Sequence, residues 1–231
     1  MSSSVKSFVF AAVMCVVCSV LLTLAATTLK PFQESNERAD KQKNILKALQ
    51  LVDGKTKLTK QEVSTIYDKN VLNVWMTPDG RLSKDEIPEG KRVFVRADNG
   101  NLVAYAVPVS GYGLWSTIYG YLGLSADGKT VSGITFYKHG ETPGLGGEVE
   151  KPWFQNQFKG KSIIDSSGAF VSVGVVKGKV TDRISADKAM NYVDGISGAT
   201  ITSQGVSSFL KKDLQVYEPL SARLRRQGAA Q

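Results

Sequence analysis

Between Asp194 and Thr202 the chain reads DGISGATIT, and it runs directly into ITSQGVSSFLKKDLQ, where Val206, Phe209, Leu210 and Leu214 keep helical spacing. A helix start leaves amide donors unpaired and carries partial positive charge, so a phosphate is favoured there. Gly195 and Gly198 let the backbone approach such a group closely, Ser197 and Thr202 add hydroxyls, and Thr200 stands at the helix entrance. Serine and threonine also cap ordinary helices, so residue types alone leave both a phosphate site and a plain cap open. A partial echo, DSSGAF at 165–170, has Phe170 where the later segment has Thr200; without the hydroxyl it reads as a turn.

A second glycine-rich stretch, HGETPGLGGEV at 139–149, contains the only histidine. His139 shows no orienting partner in the sequence, which weighs against a general base. Read by residue type, Trp115 in GYGLWSTIYGY is a core aromatic of a sheet, and Lys177 after FVSVGVV is a solvated edge lysine. Cys15 and Cys18 both fall in an apolar run, where cysteine behaves as a small hydrophobe, and two thiols do not complete a tetrahedral metal site. We assign no metal site and no complete catalytic constellation to this chain. No GxGxxG follows a strand, so dinucleotide binding is not expected.

These segments need elements to position them. From Ser7 to Leu29 there is no charge, and Lys6 and Lys30 bracket a run long enough to cross a hydrocarbon core of about 30 Å. This is longer than a usual signal-peptide core, so we expect a retained anchor. Lysines and arginines following the anchor favour a cytoplasmic C-terminal domain by simple count, a rule that weakens for long domains. ERADKQKNILKALQL continues as helix, and a second helix is expected over Thr59–Asp68. KRVFVRA and NLVAYAVPV flank Asp98-Asn99-Gly100, while LWSTIYGYLGL and VSGITFYKH flank Asp127-Gly128, giving two β-hairpins. EKPWFQNQF reads as helical, FVSVGVV as a strand and SADKAMNYV as a short helix. The expectation is an α+β fold: one N-terminal transmembrane helix, then a single mixed domain with antiparallel hairpins. The divisions are 1–30 anchor, 31–90 helical membrane-proximal region, 91–216 cofactor domain and 217–231 basic tail. The net charge of +8 is mostly scattered among acids, with only Arg223, Arg225 and Arg226 forming a local basic group, so no nucleic-acid partner is expected.

DGISGATIT resembles along its whole length the flavinylation motif of membrane redox subunits, and HGETPGLGGEV resembles the flavin-pocket loop of the same FMN-binding family. With the anchor, the KQKNIL segment and the hairpins, nearly the whole chain is similar to the C subunit of Na+-translocating NADH:quinone oxidoreductases. The related G subunit of Rnf complexes shares the anchor, pocket and threonine motif; KQKNILKAL favours the sodium-translocating family. The resemblance implies FMN joined through its phosphate to Thr200 by a flavin transferase, with Ser197, Gly198, Ala199 and Thr202 around the attachment. It implies that Glu141, Thr142 and Leu145 border the isoalloxazine, that Trp115 lies near it, and that Lys177 supports it. It further implies a single-pass protein of the bacterial inner membrane with an extracytoplasmic domain. Its partners would be the other membrane subunits, and electrons originating from NADH would pass towards quinone while the complex moves sodium ions. A rival reading is a membrane-anchored assembly module without flavin, in which Thr200 is only a helix cap.

Overall fold

The computed structural model describes residues 2–53 and 56–228. The chain divides into two units, Met1–Asp40 and Lys41–Gln231. Helix α1 spans Ser3–Ala48, and its apolar part is long and hydrophobic enough to cross a membrane by length and composition. Its threonine hydroxyls are satisfied within the helix: Thr23, Thr27 and Thr28 donate to carbonyls one turn back, at 2.7, 2.8 and 2.8 Å. Such internal pairing is what a hydroxyl needs in an apolar surrounding.

In the second unit, α2 (Lys60–Asn70) begins where its sequence dictates. Thr59 and Glu62 form a reciprocal capping box, with the Thr59 amide donating to Glu62 at 2.8 Å. Six strands follow: β1 (Val71–Met76), β2 (Leu82–Ser83), β3 (Lys91–Asp98), β4 (Asn101–Tyr112), β5 (Thr117–Ser125) and β6 (Val131–Lys138). They form one antiparallel sheet in the order β2-β1-β3-β4-β5-β6. Both expected hairpins are present. Asn99 and Gly100 have φ of 49° and 82°, the left-handed pair that a tight primed turn requires.

Helices α3 (Pro152–Gln155) and α4 (Val180–Arg183), a two-stranded parallel ribbon of β7 (Gly174–Val175) and β8 (Tyr192–Val193), and α5 (Thr200–Gly228) complete the fold. The sheet is covered on both faces, and β4 displays this by alternation. Tyr105, Val107 and Val109 enter the larger core beneath α5, whereas Ala104 and Ala106 enter a smaller one shared with Ile45, Leu46 and Leu49 of the α1 end and Val63 and Tyr67 of α2.

Three expectations change. The region 31–90 is not wholly helical, because β1 and β2 lie inside it and pair into the main sheet. FVSVGVV contributes only Gly174–Val175 as strand, since Ser172 takes a φ of 74° and breaks the extended run. The basic tail expected from 217 is helix as far as Gly228, its last three residues lying outside those described. The helical spacing of α5 continues past Pro219: Tyr217, Leu220 and Ser221 are buried, Tyr105 and Ser221 share a hydrogen bond of 2.7 Å, and Arg225 donates to the Gly128 carbonyl at 2.8 Å and pairs with Glu218.

Truncation after Val216 should therefore destabilise the domain by more than about 3 kcal/mol, since deleting one buried leucine side chain alone costs about 2–5 kcal/mol. Urea denaturation of the detergent-solubilised chain reads this directly, and an unchanged midpoint would restore the picture of a solvated tail.

Candidate functional site

Three segments distant in sequence meet at one buried carboxylate. The link between β4 and β5, Gly113–Ser116, is closed by the Gly113 amide donating to the Ser116 carbonyl at 2.9 Å. Its other amides turn towards Glu141. Trp115 and Ser116 donate to Oε1 at 2.8 and 3.1 Å, and Leu114 donates to Oε2 at 3.1 Å. The Thr202 hydroxyl, from the first turn of α5, donates to the same Oε2 at 2.7 Å. Burial pushes the Glu141 carboxyl up, but the hydrogen bonds from Thr202, Trp115, Leu114 and Ser116 outweigh it and hold the group below the usual glutamate value. Gly113 and Gly146 make the approach possible: a Cβ on either would stand 2.7 or 2.6 Å from a Glu141 oxygen.

The segment before α5 is held almost entirely through its backbone. The Asp194 amide donates to Gln157 Oε1 at 2.9 Å, the Asp194 carboxylate accepts the Val180 amide at 2.7 Å, and the Gly195 amide donates to the Gly178 carbonyl at 2.8 Å. Gly198 takes a φ of 73°, and a Cβ there would stand 2.8 Å from Leu145 Cδ2, so the two glycine-rich segments touch at this point. Ala199 offers no capping side chain. Among the described residues the amides of Thr200, Ile201 and Thr202 donate to nothing, which is the donor set that a phosphate at a helix start requires.

The hydroxyls along this segment are not equivalent. Thr202 is buried and committed to Glu141; Ser203 is buried, with its oxygen accepting the Ile196 amide at 3.4 Å. Thr200 is partly exposed and Ser197 exposed, and neither side chain has a hydrogen-bond partner among the described residues. The donor set and the free Thr200 hydroxyl fit a phosphate ester at this place.

Of the remaining predicted residues, Leu145 and Trp115 are brought to the same end of the domain, 44% and 71% exposed. Trp115 is therefore a surface aromatic and not part of the sheet core; only its amide is buried in the network, because Glu141 captures the loop before β5 begins. The Thr142 side chain is exposed, and its carbonyl accepts the Leu145 and Gly147 amides at 3.2 and 2.9 Å, shaping the loop. Lys177 is exposed, next to the Gly178 that anchors Gly195, and its ammonium makes no ion pair among the described residues. The Glu141 carboxylate faces loop amides and Thr202, not open space. A separate cavity of about 670 Å³ between β7 and α5, lined by Gln204, Ser207 and Lys211, begins one helical turn beyond Thr200 and contains none of the predicted residues.

Residue types and spacing did not reveal Ser116, whose hydroxyl accepts the Gly140 amide at 2.6 Å, or Gln157. They also left His139 unpartnered. In the fold, His139 Nδ1 accepts the Glu141 amide at 3.2 Å and Nε2 stands 3.5 Å from Glu150 Oε2. No local signal marks Ser116 or Gln157, whose partners lie 24 and 37 residues away.

A model of the FMN-binding domain matches residues 113–215. The C subunit of the Na(+)-translocating NADH-quinone reductase of Pseudomonas aeruginosa is 37% identical, with 90% of each chain covered. Its counterpart in Yersinia pestis is 33% identical over 88% of this chain and 85% of the relative. Among solved structures, the same protein from Parabacteroides distasonis superposes with a TM-score of 0.71 at 34% identity, covering 84% of this chain and 96% of that one. NqrC of Shewanella oneidensis gives 0.68 at 29% identity, covering 83% and 99%.

The Glu141 network carries a pH signature. With its folded pKa below the unfolded value of about 4.3, Glu141 contributes stability that is present above that unfolded value and lost as pH falls through the folded one. Glu141→Gln cannot accept all four donors. It should cost about 1–3 kcal/mol at neutral pH and flatten this part of the acid limb. Urea unfolding at stepped pH measures both effects, and an acid limb identical to that of the parent would remove Glu141 from this role.

Proposed function

The chain belongs to the NqrC family, the C subunits of Na+-translocating NADH-quinone reductases, and from that membership we propose that it is an electron-carrier subunit of such a complex, relaying electrons through FMN esterified to Thr200. The observation that carries the attachment is the one partly exposed, unpartnered threonine hydroxyl among the free amides of the α5 start. The amides of Thr200, Ile201 and Thr202 would hold the phosphate. Gly198, where a side chain would collide with Leu145, keeps the approach to it tight, and Ser197 offers a further hydroxyl.

FMN supplies the redox chemistry, exchanging electrons one or two at a time. The protein's part is placement. Leu145, Thr142 and Trp115 border the ring, Lys177 lies at the far edge of the attachment loop, and Glu141 acts one layer back by fixing the Trp115 loop against Thr202. Exposure of Trp115 and Leu145 supports a flavin edge open to other subunits, as a relay needs. Those partners are the other membrane subunits of the complex, with a flavin transferase acting during maturation.

The apolar part of α1 would anchor the protein in the bacterial inner membrane, with the domain on the extracytoplasmic side. Similarity over most of both chains favours this complex over an Rnf-type one. The free hydroxyl at an uncapped helix start opposes the flavin-free assembly module, which would make Thr200 a cap.

Thr200→Val keeps the shape and removes the ester oxygen. Co-expressed with a flavin transferase, this variant should lose in-gel flavin fluorescence completely while its melting temperature stays near the parent value. Ser197→Ala should remain fluorescent. Fluorescence surviving in Thr200→Val would refute the attachment. For topology, protease added to spheroplasts should digest the domain, and full protection would place it in the cytoplasm.

A further inference from the structure

His139 is the only histidine of the chain and lies at the base of the pocket loop, its side chain 11% exposed. Its two ring nitrogens do different things. Nδ1 accepts the Glu141 amide at 3.2 Å, so in the neutral ring the proton sits on Nε2. Nε2 is buried, has no hydrogen-bond partner, and stands 3.5 Å from Glu150 Oε2. The charged group set against the imidazole among the described residues is Glu150, at the end of the 3-10 turn Gly146–Glu150, and Glu150 is itself paired with Lys151 at 2.9 Å. Glu141 is joined to it through the amide alone, because its carboxylate is occupied by Leu114, Trp115, Ser116 and Thr202.

We propose that His139 is a proton-sensitive positioning residue, whose neutral ring holds the Glu141 backbone and whose protonation releases it, so that the Trp115 loop responds to pH. A proton on Nδ1 turns that acceptor into a donor and leaves the Glu141 N–H facing it. The same proton creates an imidazolium beside Glu150, which compensates for the charge. The release is transmitted because the Glu141 carboxylate is the shared acceptor for the Trp115 loop and Thr202. Ser116 provides a second route, since its hydroxyl accepts the amide of Gly140, between His139 and Glu141. The consequence for a flavin bordered by Trp115 rests on the function proposed above; the coupling between His139 and Glu141 does not.

The test is a pH titration of the full chain in detergent, followed by NMR of the single imidazole and of the Glu141 amide and Trp115 indole. Running it on Thr200→Val, which has no ester oxygen, separates this proposal from the attachment. The imidazole, the Glu141 amide and the Trp115 indole should titrate together. His139→Asn keeps an acceptor near the Nδ1 position without a titrating ring; the Glu141 and Trp115 steps should vanish and remain at their neutral-form positions. His139→Gln extends its amide towards the Nε2 position, and it should hold both signals near their acid-form positions at every pH. An imidazole that titrates while the Glu141 amide stays fixed would overturn the proposal. So would pH steps surviving unchanged in His139→Asn, because Glu150 or another group would then be their source. In the flavinylated parent, the absorbance of the bound flavin should shift over the same pH interval. If the NMR coupling holds and no flavin is found on Thr200, it is the attachment that fails.

Discussion

Four donors converge on the buried Glu141 carboxylate, and the arrangement of the site follows from satisfying it. An ionised carboxylate left without partners in a protein interior is costly, whereas one accepting several hydrogen bonds is stable as the anion. The donors come from the β4–β5 link and from the first turn of α5, and Glu141 itself comes from the segment after β6. One side chain therefore fixes three pieces of backbone relative to each other, and the glycines at 113 and 146 are there because the carboxylate leaves no space for a Cβ.

That constraint also sorts the hydroxyls. Thr202 is consumed as a donor to Glu141 and Ser203 as an acceptor for the Ile196 amide, and these bonds turn both inward. Thr200 is left partly exposed beside three unpaired amides at a helix start that has no capping side chain. Structure and reactivity are linked through competition for hydrogen bonds: the neighbours that resemble Thr200 chemically are occupied in holding the loop.

Much of this frame is legible in the sequence because it is local. Asn99-Gly100 announces its turn, Thr59 and Glu62 announce a capped helix, and the spacing of Val206, Leu210 and Leu214 announces α5. The end of α5 was hidden by Pro219 and the basic residues beyond it, although Tyr217, Ser221 and Leu224 continue the same stripe. The strand expected over FVSVGVV failed at Ser172, whose left-handed backbone, with a φ of 74°, is not announced by its residue type. The site divides the same way. DGISGATIT and the GETPGLGG loop stand out by composition, and family resemblance singled out Glu141, Leu145 and Trp115. The function of Glu141 as a clamp depends on partners 25 to 61 residues away, and the support from Gln157 and Ser116 depends on the fold alone.

The proposed ester sits on a single oxygen atom, that of Thr200, and fragmentation mass spectrometry locates it directly. Trypsin cutting after Lys188 and Lys211 leaves residues 189–211 as one peptide, which contains Ser197, Thr200, Thr202 and Ser203. Protein matured in the presence of a flavin transferase should carry an added FMN whose fragment ions place it on Thr200, with every other hydroxyl of the peptide, Tyr192, Ser207 and Ser208 included, unmodified. An adduct on any other residue of this peptide, or a peptide of unmodified mass from fully matured complex, would rule the Thr200 ester out.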